Sequence, residues 1–145
     1  MQELSAFYRF VRLPARAQLT TLRVVLLVVF VEIGVRWIPL LPLARGLGIR
    51  LSSSGDVGQS PIVFTDRELR QIDATRRVLR RWPIAPSPCL REALVLGHLL
   101  RRRQPRLCIG VTRRGKAIVA HAWLEIQGSE IGKDEQFRAF VFSRS

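Results

Sequence analysis

A chain of 145 residues, 48% hydrophobic and 24% charged, is long enough to bury a sizeable core without help from metal or disulfides. Its two cysteines, Cys89 and Cys108, exclude a disulfide framework and suit a reducing, cytoplasmic compartment. With His98 and His121 they do not fall at the paired spacing of a zinc site, no nucleotide motif is present, and no cofactor is expected. The net charge of +13, almost all of it from arginine, favours an anionic partner: acidic peptide, acidic protein, lipid surface or nucleic acid.

Residues 1–13 mix aromatics with arginine and read as an ordered arm or a frayed start. Pro14 suits the first turn of a helix, and Ala15 to Gly34 contains no internal Gly or Pro. Within it Val24 to Val31 is uninterruptedly apolar. Arg9, Arg12, Arg16 and Arg23 precede or flank that block, but no clean cleavage site follows, so a secretory signal is not expected. A spanning helix of about 20 residues would have to bury Arg23, Glu32, Arg36 and Arg45. The preferred reading is an apolar helix buried against the core or a partner, with peripheral membrane contact as the alternative. Trp37 to Leu47, interrupted by Pro39 and Pro42, reads as a short helix or turn, and Ser52 to Ser60 as a polar loop. Thr65 with Glu68 three residues on forms a capping box for an amphipathic helix to Arg81. Pro83, Pro86 and Pro88 break it, and a second helix runs from Cys89 to Arg103. Strands follow at Leu107 to Val111 and Ala117 to Ile126, then a turn at Gln127 and Gly128, a strand at Glu130 to Gly132 and a last one at Phe140 to Phe142. Helices first and a small antiparallel sheet after them make an α+β fold. The division expected is 1–60, an apolar helical part, and 61–145, the core that carries the chemistry, continuous with it.

A cysteine nucleophile needs a site that favours the thiolate, a base, and a group that orients the base. Cys89 stands at a helix start, where free backbone N–H groups and the dipole favour an anion and can serve an oxyanion. The bland alternative is a buried structural thiol. His121 lies in the run Lys116 to Ile126, where alternation sets Ala117, Val119, His121, Trp123 and Glu125 on one face and an aliphatic row on the other. Candidates for the orienting group are Glu130, Asp134, Glu135 and Gln136, with Asp134 preferred as short and close. Glu125 is about 13 Å from His121 along the strand, too far to serve. His98 is about 13 Å from Cys89 along its helix, which excludes it as the base and leaves a surface or interface role. Cys108, among Leu107, Ile109 and Val111, reads as a core thiol. The Arg101 to Arg103 run reads as a solvated helix end or a grip for an acidic peptide.

The spaced set Cys89-Leu90, Ala93 to Leu96, Leu99 to Arg103, Ile109 to Val111, Ala120 to Glu125, Gly128 and Phe137 to Phe140 resembles lasso peptide maturation B2 leader peptidases, of transglutaminase-like and papain-like architecture. Residues 86–140 carry the resemblance. It implies a cysteine peptidase that removes the leader of a ribosomally made precursor, with Cys89 as nucleophile and His121 as base. A small leader-recognition protein (B1) and an ATP-dependent lasso cyclase would be its partners. The chain departs from the pattern at Glu92 and Ala93, and Lys133 stands where the acidic third member falls, one residue before Asp134. A transglutaminase-type acyltransferase would use the same residues. A non-catalytic basic binding protein would account for the charge. The chain nevertheless shows no reading helix, zinc pattern or RNA-binding aromatic pair, and nucleic acid is not an expected partner.

Overall fold

A computed structural model describes residues 15–52, 62–82, 88–114 and 117–132. Helix α1 (Ala15–Trp37) is followed by α2 (Leu40–Gly46), a short strand β1 (Arg50–Leu51), α3 (Asp66–Arg80) and α4 (Pro88–Leu99). A 3-10 turn (Arg101–Arg103) then leads into β2 (Arg106–Arg114), β3 (Ala117–Ile126) and β4 (Ser129–Ile131). The strands form one sheet in chain order, antiparallel at β2–β3 and β3–β4, and the architecture is α+β as expected. The sheet is mixed, because β1 joins β2 in parallel, Arg50 opposite Arg106 and Leu51 opposite Leu107. So short a strand carries no alternation for a sequence to display. The expected loop beyond Ser52, the arm at 1–13 and the last strand at Phe140 to Phe142 lie outside the described residues.

The capping box forms as read. Thr65 accepts from the Glu68 backbone N–H, and Glu68 Oε2 accepts from the Thr65 backbone N–H at 2.8 Å. Glu68 has a second task, since Arg103 grips both its oxygens, each at 2.8 Å. That grip, with the Thr65 bonds, holds the Glu68 carboxyl down at about 2. The same guanidinium lies 5.8 Å over the Phe64 ring. The start of α3 is thereby tied to the end of α4. Helix α4 stops at Leu99, earlier than the periodicity suggests, and tightens into the 3-10 turn. That turn closes on Gln104 in a left-handed conformation (φ 53°).

Helix α4 is the centre of the fold. Leu94, Val95, Leu96 and Leu100 are buried, and each such side chain is worth roughly 1.5–3 kcal/mol. Gly97 lets the helix backbone come close to the sheet layer: a Cβ there would stand 2.5 Å from Ile49 Cδ1 and 3.4 Å from Leu124. Helix α1 packs across α3 and α4 through Val24, Val28 and Val31. Within this interface Glu32 is buried and forms a paired salt bridge with the equally buried Arg91. Arg91 Nε bonds one oxygen and Nη2 the other at 3.1 Å, and Arg36 joins from the next turn. Arg91, ahead of desolvation, holds the Glu32 carboxyl below its ordinary range.

By length and composition α1 could cross a membrane, with a mean hydropathy of 1.9 over its most apolar window. Its buried ion pair, however, makes it part of the core of this fold. It is only half covered. Leu19, Leu22, Leu26, Phe30, Ile33 and Trp37 recur at helical spacing and stay exposed.

Candidate active site

Pro88 opens α4, where its fixed φ suits the first turn and its missing N–H is no loss. Cys89 follows at once, half-buried, in the turn whose backbone N–H groups have no partner within the helix. The first turn is anchored from two sides. Arg91 is bound to Glu32 of α1, and Glu92 accepts from Arg76 Nε of α3 at 3.0 Å. Glu92 is one of the departures from the resemblance, and its charge is met by Arg76 within the fold.

The second wall comes from β3 and β4. Gln127 (φ 49°) and Gly128 (φ 81°) are both left-handed, the requirement of a tight type I′ hairpin, and Ile126 pairs with Ser129 across them. That register sets Leu124 opposite Ile131 and brings the next residue, Gly132, back beside the middle of β3. The Gly132 carbonyl then lies 2.8 Å from His121 Nε2. A carbonyl oxygen only accepts, so Nε2 carries the proton in this bond, and the neutral ring keeps Nδ1 as its accepting nitrogen. The imidazole also stacks on Trp123, two residues along the same strand face, with centroids 6.0 Å apart and planes 19° apart. Gly132 itself takes φ 79°, a conformation that only glycine adopts readily.

Cys89 and His121 line the same cleft, of about 230 Å³, with Ala93 and Leu96 from α4, Ala122 and Leu124 from β3, and Gly132. Its walls are largely aliphatic. The pair picked out from the sequence is therefore brought together by the fold. Asp134, Glu135 and Gln136 lie outside the described residues. The group seen to orient His121 is a main-chain carbonyl, which no side-chain pattern discloses. The signal that leads to it is indirect: the Gln127-Gly128 turn fixes a register that ends on Gly132.

The sequence alternation is met only in part. Beyond His121 both faces of β3 are buried, so Trp123 and Glu125 are as covered as Leu124 and Ile126. On that face Cys108 donates to Glu125 at 3.8 Å. Burial first, and then the Glu125 charge, pushes the Cys108 thiol up to about 11. It is the core thiol expected, far less ready than an exposed cysteine to form thiolate at neutral pH. His98 is half-buried near the far end of α4, bonded to the Leu47 carbonyl and to Arg101.

A family model for the transglutaminase-like superfamily matches residues 25–141. Among curated proteins and among solved structures none matches the chain. The match takes in the helix that carries Cys89 and the strand that carries His121, and it is compatible with cysteine peptidase or acyltransferase chemistry. The chain belongs to the transglutaminase-like superfamily.

Proposed function

We propose that this protein is a cysteine peptidase that removes the leader from a ribosomally made lasso precursor peptide, in the cytoplasm. The observation that carries the reading is the shared cleft of Cys89 and His121, with His121 Nε2 held by the Gly132 carbonyl. In the proposed reaction His121 Nδ1 takes the thiol proton and the Cys89 sulfur attacks the scissile carbonyl carbon. Backbone N–H groups of the first turn of α4 stabilise the oxyanion. The tetrahedral adduct collapses with loss of the core peptide as its amine, which takes its proton from His121. Water, deprotonated by the same imidazole, then attacks the thioester and releases the leader as an acid. No cofactor is required by these steps.

Delivery of the leader is assigned to a small recognition protein, and use of the freed core to an ATP-dependent cyclase. The exposed apolar stripe of α1, Leu19 to Trp37, is the surface proposed for the recognition protein. Leu26→Lys with Ile33→Lys is expected to abolish co-purification with it. If the pair still associate and only sedimentation with vesicles is lost, the stripe is a membrane contact instead.

The decisive measurement is intact-mass analysis of a cognate leader-bearing peptide incubated with this protein and its recognition partner, wild type against Cys89→Ala. One cut, absent in the variant, supports the reading. Cleavage that survives Cys89→Ala overturns the nucleophile. A mass gain that matches a supplied primary amine, in place of the free acid, moves the assignment to acyl transfer.

A further inference from the structure

A second cavity, of about 430 Å³, is larger than the Cys89 cleft and lies at the opposite end of α4. Arg23 of α1, Arg67 and Gln71 of α3, His98 of α4, and Arg101 and Arg102 of the 3-10 turn line it. Two smaller cavities share Arg23 and Leu99 with it and reach Leu19 and Leu26 on α1, so the whole is a groove and not a dimple.

Its charge is not cancelled from within. Glu68, the acid in the wall, is already held by Arg103, whereas Arg23, Arg67 and Arg102 make no ion pair among the described residues. Arg101 is aimed. His98 donates from Nδ1 to the Leu47 carbonyl at 3.2 Å, which leaves Nε2 to accept from Arg101 Nη1 at 3.0 Å. An imidazole fixed by the main chain thus sets the direction of one guanidinium, a cost in side-chain freedom met before any ligand arrives.

We propose that this groove binds an acidic peptide segment, its carboxylates meeting Arg23, Arg67, Arg101 and Arg102 and its apolar side chains meeting Leu99. Guanidinium groups match carboxylates in geometry as well as charge. A lining that combines cationic and aliphatic side chains fits a peptide with both acidic and apolar side chains. Among the described lining residues no Phe, Tyr or Trp offers a base a stacking face, and the His98 ring is already held by the Leu47 carbonyl and Arg101; a concave site suits a strand better than a flat lipid surface. The inference is independent of what Cys89 does.

The test is fluorescence anisotropy with a fluorescein-labelled peptide of alternating Glu and Leu, titrated with the full-length Cys89→Ala protein so that turnover plays no part. Arg67→Glu with Arg102→Glu is expected to weaken binding at least about tenfold. Arg80→Glu with Arg81→Glu, the same change of net charge at the other end of α3, should leave it within about twofold. Circular dichroism establishes that each variant is folded. Should both double variants weaken binding equally, only the net charge is at work and the groove is not a site. The proposal is also overturned if the wild type ignores the peptide. Preference for oligothymidylate or phosphatidylglycerol vesicles, lost in the groove variant, would overturn the peptide class.

Discussion

At its first turn α4 presents Cys89 to a cleft walled by Ala93, Leu96, Ala122 and Leu124, while its other end runs into a groove walled by guanidinium groups. The two regions share a helix and little else. At the first, charge is neutralised inside the fold: Glu92 by Arg76, Arg91 by Glu32. At the second, Arg23, Arg67 and Arg102 stay uncompensated among the described residues. The helix macrodipole favours this division, since its N-terminal end stabilises a thiolate or oxyanion and its C-terminal end tolerates clustered cations. One element thus carries a cleft with its charges paired at one end and an uncompensated cationic groove at the other.

The sharpest way to test the contrast is at the sulfur. Cys89→Ala should lower peptide cleavage by at least about 10⁴-fold, as loss of a covalent nucleophile does, with the fold unchanged by circular dichroism. The two thiols should also differ in alkylation. At pH 7 iodoacetamide should modify Cys89 well before Cys108, which is buried and titrates at about 11, as peptide mass mapping would show. Preferential modification of Cys108 would mean that the Cys89 end of α4 is more closed than its half-buried thiol implies.

The anchoring of the first turn is next in size. Glu32→Ala removes the carboxylate that the buried Arg91 and Arg36 both bind and should cost about 3–5 kcal/mol, read from the urea midpoint. Replacing both Glu32 and Arg91 with Met should cost far less, because neither buried charge is then left without the other. In the middle of the helix, Gly97→Val should cost about 1–3 kcal/mol, since its side chain would have to displace Ile49.

The far end gives the smallest effect and a pH signature. Arg103→Ala should lower the urea midpoint at neutral pH by less than Glu32→Ala does, through loss of its bonds to Glu68. The Glu68 carboxyl titrates lower in the folded chain, at about 2, than its ordinary 4.5. Its stabilising contribution is thus complete above about pH 4.5 and disappears as pH falls towards 2. Glu32, shifted in the same direction, adds to that acid sensitivity. Urea midpoints measured across this range should fall less steeply in Arg103→Ala than in wild type.

Much of this was legible beforehand. The Thr65–Glu68 box, the span of β3 and the Gln127-Gly128 turn follow from local rules of capping, alternation and left-handed backbone, which neighbouring residues suffice to satisfy. Cys89 and His121, which line one cleft, could be singled out as candidates because a nucleophile and its base must be particular side chains. The Gly132 carbonyl was not, because every residue has one and only the hairpin register says which comes close to the imidazole. The Arg91–Glu32 pair, 59 residues apart in sequence, was equally hidden.

The sequence by itself determined the order of helices before strands, the caps and turns, the excess of positive charge and the two residues proposed for acyl chemistry. Tertiary structure alone decided that those two share a cleft, that β1 adds in parallel, that α1 covers itself on one face only, and that arginines from α1, α3 and the 3-10 turn converge on one groove. The reason is range. Helix and turn formation are settled by residues within a few positions of one another, whereas a site assembled from distant segments exists only once packing has fixed their faces.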